Sequence, residues 1–570
     1  MTLSKKEFLI FASILAIFLS LHLFGLRLPY HQDEYKWPML TNPTSEAGTV
    51  VHPPLAEFTY REIGPIVGLD NFRIIPFAFG LLNLFLIFYL AKIVFDPFDK
   101  LGTSKTALWT AFLFTFSFYS LLASLMVDTD GAVMPAFFLI MAIGYFQLRK
   151  TNFQFSIFNF QNWIWLILLI VGAAGGFLVK MSGILPLVAF ALDFAIIKKF
   201  FADKKRFLRF LGLGVLLAGL VVLVLLLAKL IFPFFPLEKS IKYWEHFANS
   251  SSFFDRGWLQ TFIQFAKSIL YTSPLLLLPV FFVDKEIWEK TRPFFIFIFI
   301  GLVFYLFAFD FSLGALDRYL QFLIIPLCII SGAVFAKTMN YESRIKDYAL
   351  PLFISILIFS VQFFNHLVPP LHPKTEWIAR AISMKWNFLF PFSGGSGPLP
   401  FYVSFLFMAL VWVCSIVFVL SLLKMKNIKK QILFCVLILG ILYNGVFIEE
   451  YLFGKINGSA PGLVLGAIEF IKNDQGIKKV TVYNDNGGYE VQKTGKYRKR
   501  LYIDPKFDVN EKIQTLNRYK EHYLVVDIPK IDPDSVYQRY FDSCNAVYKE
   551  KDKYISATIY NCQNAPDLKF

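Results

Sequence analysis

Long apolar runs alternate with short polar stretches along most of this chain, and the first run extends from about Phe8 to Leu26. A helix needs about 20 predominantly apolar residues to cross the hydrocarbon core of a bilayer. On that criterion the pattern predicts about thirteen membrane-spanning helices. Their expected starts lie near Phe8, Phe72, Ala107, Gly131, Trp163, Gly183, Phe207, Phe262, Phe294, Arg318, Leu350, Phe401 and Gln431.

The pattern changes in the last part of the chain, where short apolar stretches are separated by charged residues. Residues 466–472 are expected to form a helix. Apolar and β-branched residues are concentrated in three stretches that are typical of strands, 479–483, 523–527 and 554–560. This part therefore predicts a small α/β domain of about 110 residues, a normal domain size.

These patterns divide the chain into two predicted domains. Residues 1–450 are expected to form a polytopic α-helical membrane domain, and residues 451–570 the α/β domain. Within the membrane domain, residues 27–70 are expected to be the first outer loop. A mixed apolar and charged stretch in this loop, Leu55–Ile63, predicts an interfacial helix.

The composition supports a membrane protein. Hydrophobic residues make up 56% of the 570 residues and charged residues only 17%, whereas a soluble domain has about 25% charged residues. The net charge is +15. In such a chain a basic excess first indicates topology, so membrane lipids are expected neighbours and a nucleic-acid partner is not expected.

The basic residues also predict the orientation in the membrane. Loops rich in Lys and Arg alternate with longer, more acidic loops, and the positive-inside rule then places the N-terminus in the cytoplasm. An odd number of spans places the C-terminal domain outside the cell membrane. Cys544 and Cys562 lie in that domain and could pair in an oxidising compartment, although the sequence does not show that they do.

Two acidic sites fall on the predicted outer side. Asp33 and Glu34 follow the first apolar run, and Asp128 and Asp130 occupy a very short turn before Gly131. Carboxylates beside a bilayer are costly to desolvate and indicate a functional site. Two alternatives remain open: a solvated acidic loop for the first pair, and a helix-capping turn for the second.

A few cationic residues are expected on the same side: His52, Arg73, Lys180 and Arg318. Each alone could reach lipid headgroups. Together they would suit a phosphate, because Arg and Lys form charge-assisted hydrogen bonds with it. The sequence contains no Gly-rich nucleotide loop, HExxH or CxxC motif, which argues against a nucleotide or zinc site. A carboxylate base and phosphate-binding cations at the outer face predict a lipid-linked phosphate substrate.

These residues, in this order, resemble the GT-C membrane glycosyltransferases, in particular the protein O-mannosyltransferase and lipid A aminoarabinose transferase group. The resemblance covers about residues 5–450. It is carried by Asp33-Glu34, His52-Pro-Pro-Leu55, Arg73-Ile-Ile-Pro76, Asp130 or Asp128 before the fourth span, Lys180 after the fifth, and Arg318-Tyr319. Two departures are that His52 replaces the Lys of some relatives and that the Trp-Trp-Asp motif of oligosaccharyltransferases is absent.

The resemblance implies an inverting sugar transfer from a polyprenyl-phosphate sugar donor, a hexosyl or pentosyl transfer, to a hydroxyl or amine of a protein, lipid or glycan. It assigns the base to Asp33, with Glu34 and Asp130, or Asp128, orienting the base or the acceptor. It assigns the donor phosphate to His52, Arg73, Lys180, Arg318 and Tyr319. No cofactor is implied, and a divalent metal is not expected to be required.

Three other functions remain open at this stage. A flippase or transporter of a lipid-linked sugar would be favoured by paired Gly or Pro breaks in two halves of the chain, and no such symmetry is evident. An outer-face polymerase or ligase that uses a pyrophosphate-linked oligosaccharide would share the sidedness and the cations. A receptor would need none of the predicted catalytic residues.

Overall fold

A computed structural model describes the fold of most of the chain. The described residues are 4–41, 52–95, 103–151, 153, 160–250, 256–311, 317–339, 349–364, 371–373, 376–392, 399–421, 429–501 and 509–569. The chain forms two compact units. The first contains Met1–Leu26, Trp37–Ser312 and Arg318–Ser343, and the second contains Arg27–Lys36, Leu313–Asp317 and Arg344–Phe570. The predicted domain boundary at residue 450 stays a prediction.

The described part of the first unit is helical. Its α-helices are α1 (Lys5–Gly25), α2 (Lys36–Thr41), α3 (Pro54–Val67), α4 (Ile74–Val94), α5 (Thr103–Phe116), α6 (Phe118–Leu125), α7 (Val133–Lys150), α8 (Phe160–Val179), α9 (Leu185–Ile197), α10 (Lys204–Ile231), α11 (Leu237–Ser250), α12 (Trp258–Leu270), α13 (Pro274–Leu277), α14 (Lys285–Ala308) and α15 (Ile324–Thr338). Short 3-10 turns lie at Leu69–Asn71, Met181–Ile184, Phe200–Ala202, Leu278–Phe282 and Asp317–Leu323.

The described part of the second unit contains helices and two sheets. Its elements are α16 (Ala349–Ser360), α17 (Trp377–Ile382), β1 (Leu389–Phe392), β2 (Phe401–Ser404), α18 (Phe405–Ser421), α19 (Lys429–Leu452), α20 (Ala460–Asn473), β3 (Val480–Tyr483), α21 (Gly488–Lys493), β4 (Tyr497–Leu501), α22 (Val509–Arg518), β5 (His522–Val526), α23 (Val536–Asp542), β6 (Asn545–Asp552) and β7 (Ile555–Asn561). Short 3-10 turns lie at Gln32–Tyr35 and Val361–Phe363.

Many of these helices are long and apolar enough to cross a membrane. Among the described residues seven helices meet that criterion, or nine if each of two bent helix pairs counts as one span. Each of the thirteen predicted starts lies inside an α-helix or no more than six residues before the first residue of one. The number thirteen stays a prediction. The start near Phe401 was four residues early, because residues 401–404 form β2, paired antiparallel with β1.

Close packing of α7 against α8 positions the two ends of this helix pair. A Cβ atom at Gly144 of α7 would lie 2.5 Å from the Trp165 carbonyl oxygen, and one at Gly172 of α8 would overlap the Met141 backbone. Small residues allow the two backbones to approach in this way. Because the helices are antiparallel neighbours, the residues just before α7 and just after α8 meet at one end of the pair.

The C-terminal sheet has five strands in the order β4-β3-β5-β7-β6. β3 pairs parallel with β4 and β5, whereas β7 pairs antiparallel with β5 and β6. The predicted strands correspond to β3, β5 and β7. Side chains alternate along β3, where Val482 faces a core with α20 and Tyr483 faces one with α22 and α23. This confirms the small C-terminal α/β domain, and Cys544 and Cys562 form a disulfide within it.

Candidate active site

The α7–α8 pair brings Asp130 and Lys180 into contact. Asp130 lies three residues before α7 and Lys180 directly follows α8. The Lys180 Nζ atom is 2.5 Å from Asp130 Oδ1, and the two side chains are only 4% and 5% exposed. Two residues that are fifty positions apart therefore form a buried ion pair.

Arg318 joins this pair from the 3-10 turn that precedes α15. Its Nη1 atom is 3.0 Å from Asp128 Oδ2, and its Nε atom is 3.6 Å from Asp130 Oδ2. We call Asp128, Asp130, Lys180 and Arg318 the ion cluster. Two carboxylates balance two cations, so the four formal charges sum to zero. Each cation is oriented by a carboxylate; a lysine side chain has three N–H donors and an arginine side chain has five.

The turn that carries the two aspartates is shaped by ordinary turn chemistry as well. The Thr129 N–H donates to Asp128 Oδ1 at 2.7 Å, and the Gly131 N–H donates to the Asp128 carbonyl oxygen at 3.1 Å. A capping turn and an ion cluster are thus features of the same residues, so the two interpretations of Asp128 and Asp130 are compatible.

Arg73 stabilises the backbone that leads into this turn. The side chain is 1% exposed, and its Nη1 donates to the Leu125 carbonyl oxygen at 2.6 Å. The hydroxyl of Tyr60 lies 3.4 Å from the carbonyl oxygen of Asp128. Arg73 therefore contacts the backbone that leads into the aspartate turn. Its predicted role as a ligand of the donor phosphate stays a prediction.

Two tyrosines border the ion cluster. The Lys180 Nζ atom lies 4.3 Å from the centroid of the Tyr319 ring, a cation–π distance. The Tyr319 ring stacks on Tyr305, with centroids 5.7 Å apart. The Tyr305 hydroxyl lies 3.3 Å from the Ser182 hydroxyl oxygen. The structure thus places Tyr319 beside Lys180 and adds Tyr305 and Ser182, which were not predicted.

A largely apolar cavity adjoins these tyrosines. Tyr305 and Ser182 belong to its wall, together with Phe138, Met141 and Phe297. The cavity and the ion cluster therefore share a border of polar side chains. Such a pairing of an apolar space with a few oriented polar groups is typical of a ligand site.

The acidic pair Asp33 and Glu34 belongs to the second unit. Asp33 and Glu34 lie in the 3-10 turn Gln32–Tyr35. Glu34 is fully buried, and its Oε2 atom accepts the His31 N–H at 3.0 Å. The Asp33 side chain is 35% exposed, and its Oδ1 is 3.8 Å from Lys36 Nζ. Glu34 therefore stabilises the turn, whereas Asp33 keeps an accessible carboxylate.

His52 lies apart from the contacts of the ion cluster that have been described. Its ring makes an edge-on contact with Tyr243 of α11, with centroids 6.3 Å apart. Its predicted role in phosphate binding stays a prediction. Within the described ranges no group of three or more His, Cys, Asp or Glu side chains is arranged to hold a metal ion. The expectation that no metal is required also stays a prediction.

Comparison with known proteins identifies the fold. No family model and no curated protein matches the sequence. The crystal structure of ArnT from Cupriavidus metallidurans bound to undecaprenyl phosphate is similar over 96% of this chain and 97% of that chain, with 14% identity and a TM-score of 0.52. The apo state of the same protein is similar over 97% and 98%, with 14% identity and a TM-score of 0.50.

ArnT is a lipid A aminoarabinose transferase of the GT-C fold. At 14% identity the similarity establishes the fold of this chain and no more. The chain is therefore a polytopic helical membrane protein with the GT-C fold and a small C-terminal sheet domain. This confirms the fold expected from the order of the short motifs.

Proposed function

We propose that this protein is an inverting glycosyltransferase that moves a sugar from a polyprenyl-monophosphate donor to a hydroxyl or amine acceptor at the outer face of the cell membrane. The observation that carries the proposal is the ion cluster, whose two buried cations both lie over the Tyr319 ring. Tyr319 stacks on Tyr305, which belongs to the wall of a largely apolar cavity. The GT-C fold supports it, since the similar ArnT structure holds undecaprenyl phosphate.

Lys180 and Arg318 are suited to hold the donor phosphate. Lys180 has three N–H donors, of which Asp130 takes one, and Arg318 has five. Because Asp128 and Asp130 already orient the two cations, little reorganisation is needed when a phosphate arrives. The phosphate adds negative charge to a cluster whose formal charges otherwise cancel, so both cations would be drawn towards it.

The apolar cavity is suited to the first part of the polyprenyl chain. Its wall is formed mainly by apolar side chains, among them Phe138 and Phe297. An apolar chain gains free energy of about 25 cal/mol for each Å² that it removes from water. Tyr305 and Ser182 stand where the apolar wall meets the ion cluster, which matches a ligand that changes from hydrocarbon to phosphate.

The transfer step is a single displacement at the anomeric carbon. The bond from this carbon to the phosphate oxygen breaks, and its electron pair stays on the phosphate, which gains one negative charge. Lys180 and Arg318 stabilise that charge. The acceptor oxygen or nitrogen forms the new bond from the opposite face, and its proton passes to the Asp33 carboxylate as general base.

The geometry of the acidic turn supports this division of roles. A general base has to reach the acceptor, and of the two carboxylates only that of Asp33 is partly exposed. Glu34 is buried and accepts a backbone N–H, so we assign it to holding the turn. Asp130 and Asp128 orient the cations of the cluster, and Arg73 orients the turn that carries these aspartates.

The disulfide supports the proposed location of the C-terminal domain. Cys544 and Cys562 are bonded to each other, and disulfides persist mainly in oxidising compartments outside the cytoplasm. This agrees with the orientation that the distribution of basic loops predicts, with the N-terminus in the cytoplasm.

The proposal is tested by donor binding and by product analysis. Purified protein in liposomes is given a radiolabelled polyprenyl-monophosphate sugar or its pyrophosphate analogue. Lys180→Met should weaken binding of the monophosphate by about 10- to 100-fold, since a charge-assisted hydrogen bond contributes about 1.5–3 kcal/mol. Lys229→Met is the matched control, because Lys229 also lies at a helix end but donates to the Phe235 carbonyl oxygen.

Equal donor binding by Lys180→Met and wild type would contradict the assignment of the phosphate site. Product analysis separates the alternatives. A transferase leaves the label covalently attached to an acceptor and releases polyprenyl phosphate, whereas a transporter moves the intact lipid across the bilayer. A preference for the pyrophosphate lipid would favour a polymerase or ligase.

A further inference from the structure

The loop after β3 has an unusual backbone. Asn484, Asp485 and Gly487 all adopt left-handed conformations, with φ of 51°, 59° and 85°. Asn and Asp tolerate this region better than other residues with a side chain, but it still has a cost in free energy. The loop lies at the carboxyl end of a parallel strand, where open α/β sheets usually carry their functional side chains.

This backbone places the Asp485 carboxylate inside the protein. The side chain is fully buried, and its Oδ2 atom is 3.7 Å from Arg500 Nη1 of β4. Gly488 makes room for it, because a Cβ atom there would overlap Asp485 Oδ1. A strained loop, a glycine and an arginine thus accommodate one buried carboxylate.

The segment that carries Asp33 packs against the same loop, within the second unit. The Tyr30 N–H donates to Glu490 Oε1 at 3.3 Å. The Tyr30 ring contacts the Tyr489 ring edge-on, with centroids 4.9 Å apart. Tyr35 stacks near Tyr489 at 6.4 Å. Tyr30 and Tyr35, on either side of Asp33 and Glu34, therefore both contact α21 of the C-terminal domain.

Tyr35 and Asp33 both face Asp485. Burial raises the pKa of Asp485 to about 7, while Arg500 and the Tyr35 hydroxyl oppose this rise and the negative charge of Asp33 adds to it. Tyr497 of β4 faces the same group, because burial and then Asp485 raise the pKa of Tyr497 to about 12. Among the described residues, the titratable and charged groups that act on Asp485 are thus Asp33, Tyr35, Tyr497 and Arg500.

We infer that Asp485 is a positioning residue for sugar transfer, which holds the Asp33 turn in its working geometry through Tyr35, whose ring lies beside Tyr489 at the start of α21. This inference rests on the proposed function, in which Asp33 is the base. It also assigns a role to the C-terminal domain, which contributes a residue to the transfer reaction. Asp485 acts through Tyr35 and does not touch the substrate.

A stabilising role alone would not account for Asp485. Its pKa is raised above that of an unfolded chain, so its contribution to stability is present below pH 4 and is lost as the pH rises through about 7. The ionised form, which lies beside Arg500, therefore lowers stability at pH 8 relative to a neutral group. A carboxylate with this cost is typical of a functional site.

The test compares Asp485→Asn and Tyr35→Phe in the full-length protein with a labelled polyprenyl-phosphate sugar. Each variant should lower kcat by about 10- to 100-fold, since misplacing a catalytic group by about 1 Å costs up to this much. KM for the donor should stay unchanged. The double variant should be no slower than the slower single variant, because the two residues act as one unit.

The pH profile and the melting temperature give two further readouts. In wild type, kcat should rise as the pH passes through about 7, and Asp485→Asn should lack this rise. The melting temperature of Asp485→Asn at pH 8 should equal or exceed that of wild type. Asp527→Asn is the matched control, because Asp527 follows the neighbouring strand β5 and faces Lys530 and Lys549 instead; it should keep wild-type kcat.

The outcomes separate the inference from the proposed function. If wild type transfers sugar and Asp33→Asn does not, but Asp485→Asn matches wild type in kcat and in pH profile, the inference is overturned. The inference is also overturned if Asp485→Asn loses activity only in proportion to a loss of folded protein. If wild type itself transfers no sugar, the proposed function is overturned, and the inference about Asp485 is overturned with it.

Discussion

The buried Lys180–Asp130 pair gives the most quantitative prediction about the first unit. At 2.5 Å and an effective dielectric constant of about 20, Coulomb's law gives roughly 7 kcal/mol of attraction. Desolvation of the two ions offsets much of it. Removing one partner leaves the other charge buried, which costs about 3–5 kcal/mol.

Because Lys180 and Asp130 have different neighbours, the two single substitutions should lower the free energy of unfolding by different amounts. Lys180→Met leaves Asp130 with Arg318 at 3.6 Å, so its cost should lie near the lower end, about 3 kcal/mol. Asp130→Asn leaves Lys180 with only the Tyr319 ring among the contacts described, so its cost should lie near 5 kcal/mol on the same basis. The double variant removes one charge of each sign and should cost at least about 2 kcal/mol less than the sum.

The assay is a double-mutant cycle on the free energy of unfolding, measured by denaturant titration in mixed micelles. The control cycle uses Lys337 and Glu286, whose ion pair is 2.6 Å long but 38% exposed on both sides; its coupling should be below about 1 kcal/mol. All variants at Lys180 and Asp130 should also transfer sugar more slowly than wild type at low donor concentration, even where stability recovers. Additivity within about 0.5 kcal/mol at the buried pair would refute the reasoning.

Three further predictions concern other parts of the chain. Asp193 is fully buried and pairs with Arg292 at 2.6 Å and Arg149 at 3.3 Å. Because both arginines are partly exposed, Asp193→Asn should lower the free energy of unfolding by about 2–3 kcal/mol. Thermal unfolding measures this loss, and a turnover assay should show an unchanged kcat. Replacing Cys544 and Cys562 by Ser should destabilise the C-terminal domain by about 3 kcal/mol. In intact cells, the two cysteines of the wild-type protein should react with a membrane-impermeant maleimide only after reduction. If they react only after cell lysis, the predicted topology is reversed. Dialysis against EDTA should leave transfer unchanged, and a loss that Mg²⁺ or Mn²⁺ restores would contradict the expectation of no required metal.

The apolar pattern predicted the helices well because each helix has to be apolar over a known length to lie in a membrane. The predicted sidedness of the loops placed Asp128, Asp130, Lys180 and Arg318 on one side of the membrane. The structure brings these four residues into contact. A common side of the membrane does not by itself determine how far these residues lie from one another. The contact depends on the close packing of α7 and α8 at glycines whose sequence context is not distinctive.

Other site residues lacked any sequence signal. Tyr305 lies inside an apolar run, where an aromatic residue is expected for packing alone. Ser182 follows Lys180 by two residues, and this proximity was the one available signal for it. The role inferred for Asp485 depends on a left-handed loop and on the packing of the distant residues 27–36 in the second unit. A single sequence does not encode such contacts in a readable pattern.

The central claim is tested most directly by the transfer of labelled sugar from a polyprenyl-monophosphate donor by Asp33→Asn. The matched control is Asp70→Asn, which changes an exposed carboxylate of the same predicted outer loop. Loss of the general base should lower kcat by about 100- to 10,000-fold, with donor binding retained, while the control keeps wild-type turnover. Equal turnover by Asp33→Asn and wild type would contradict the account.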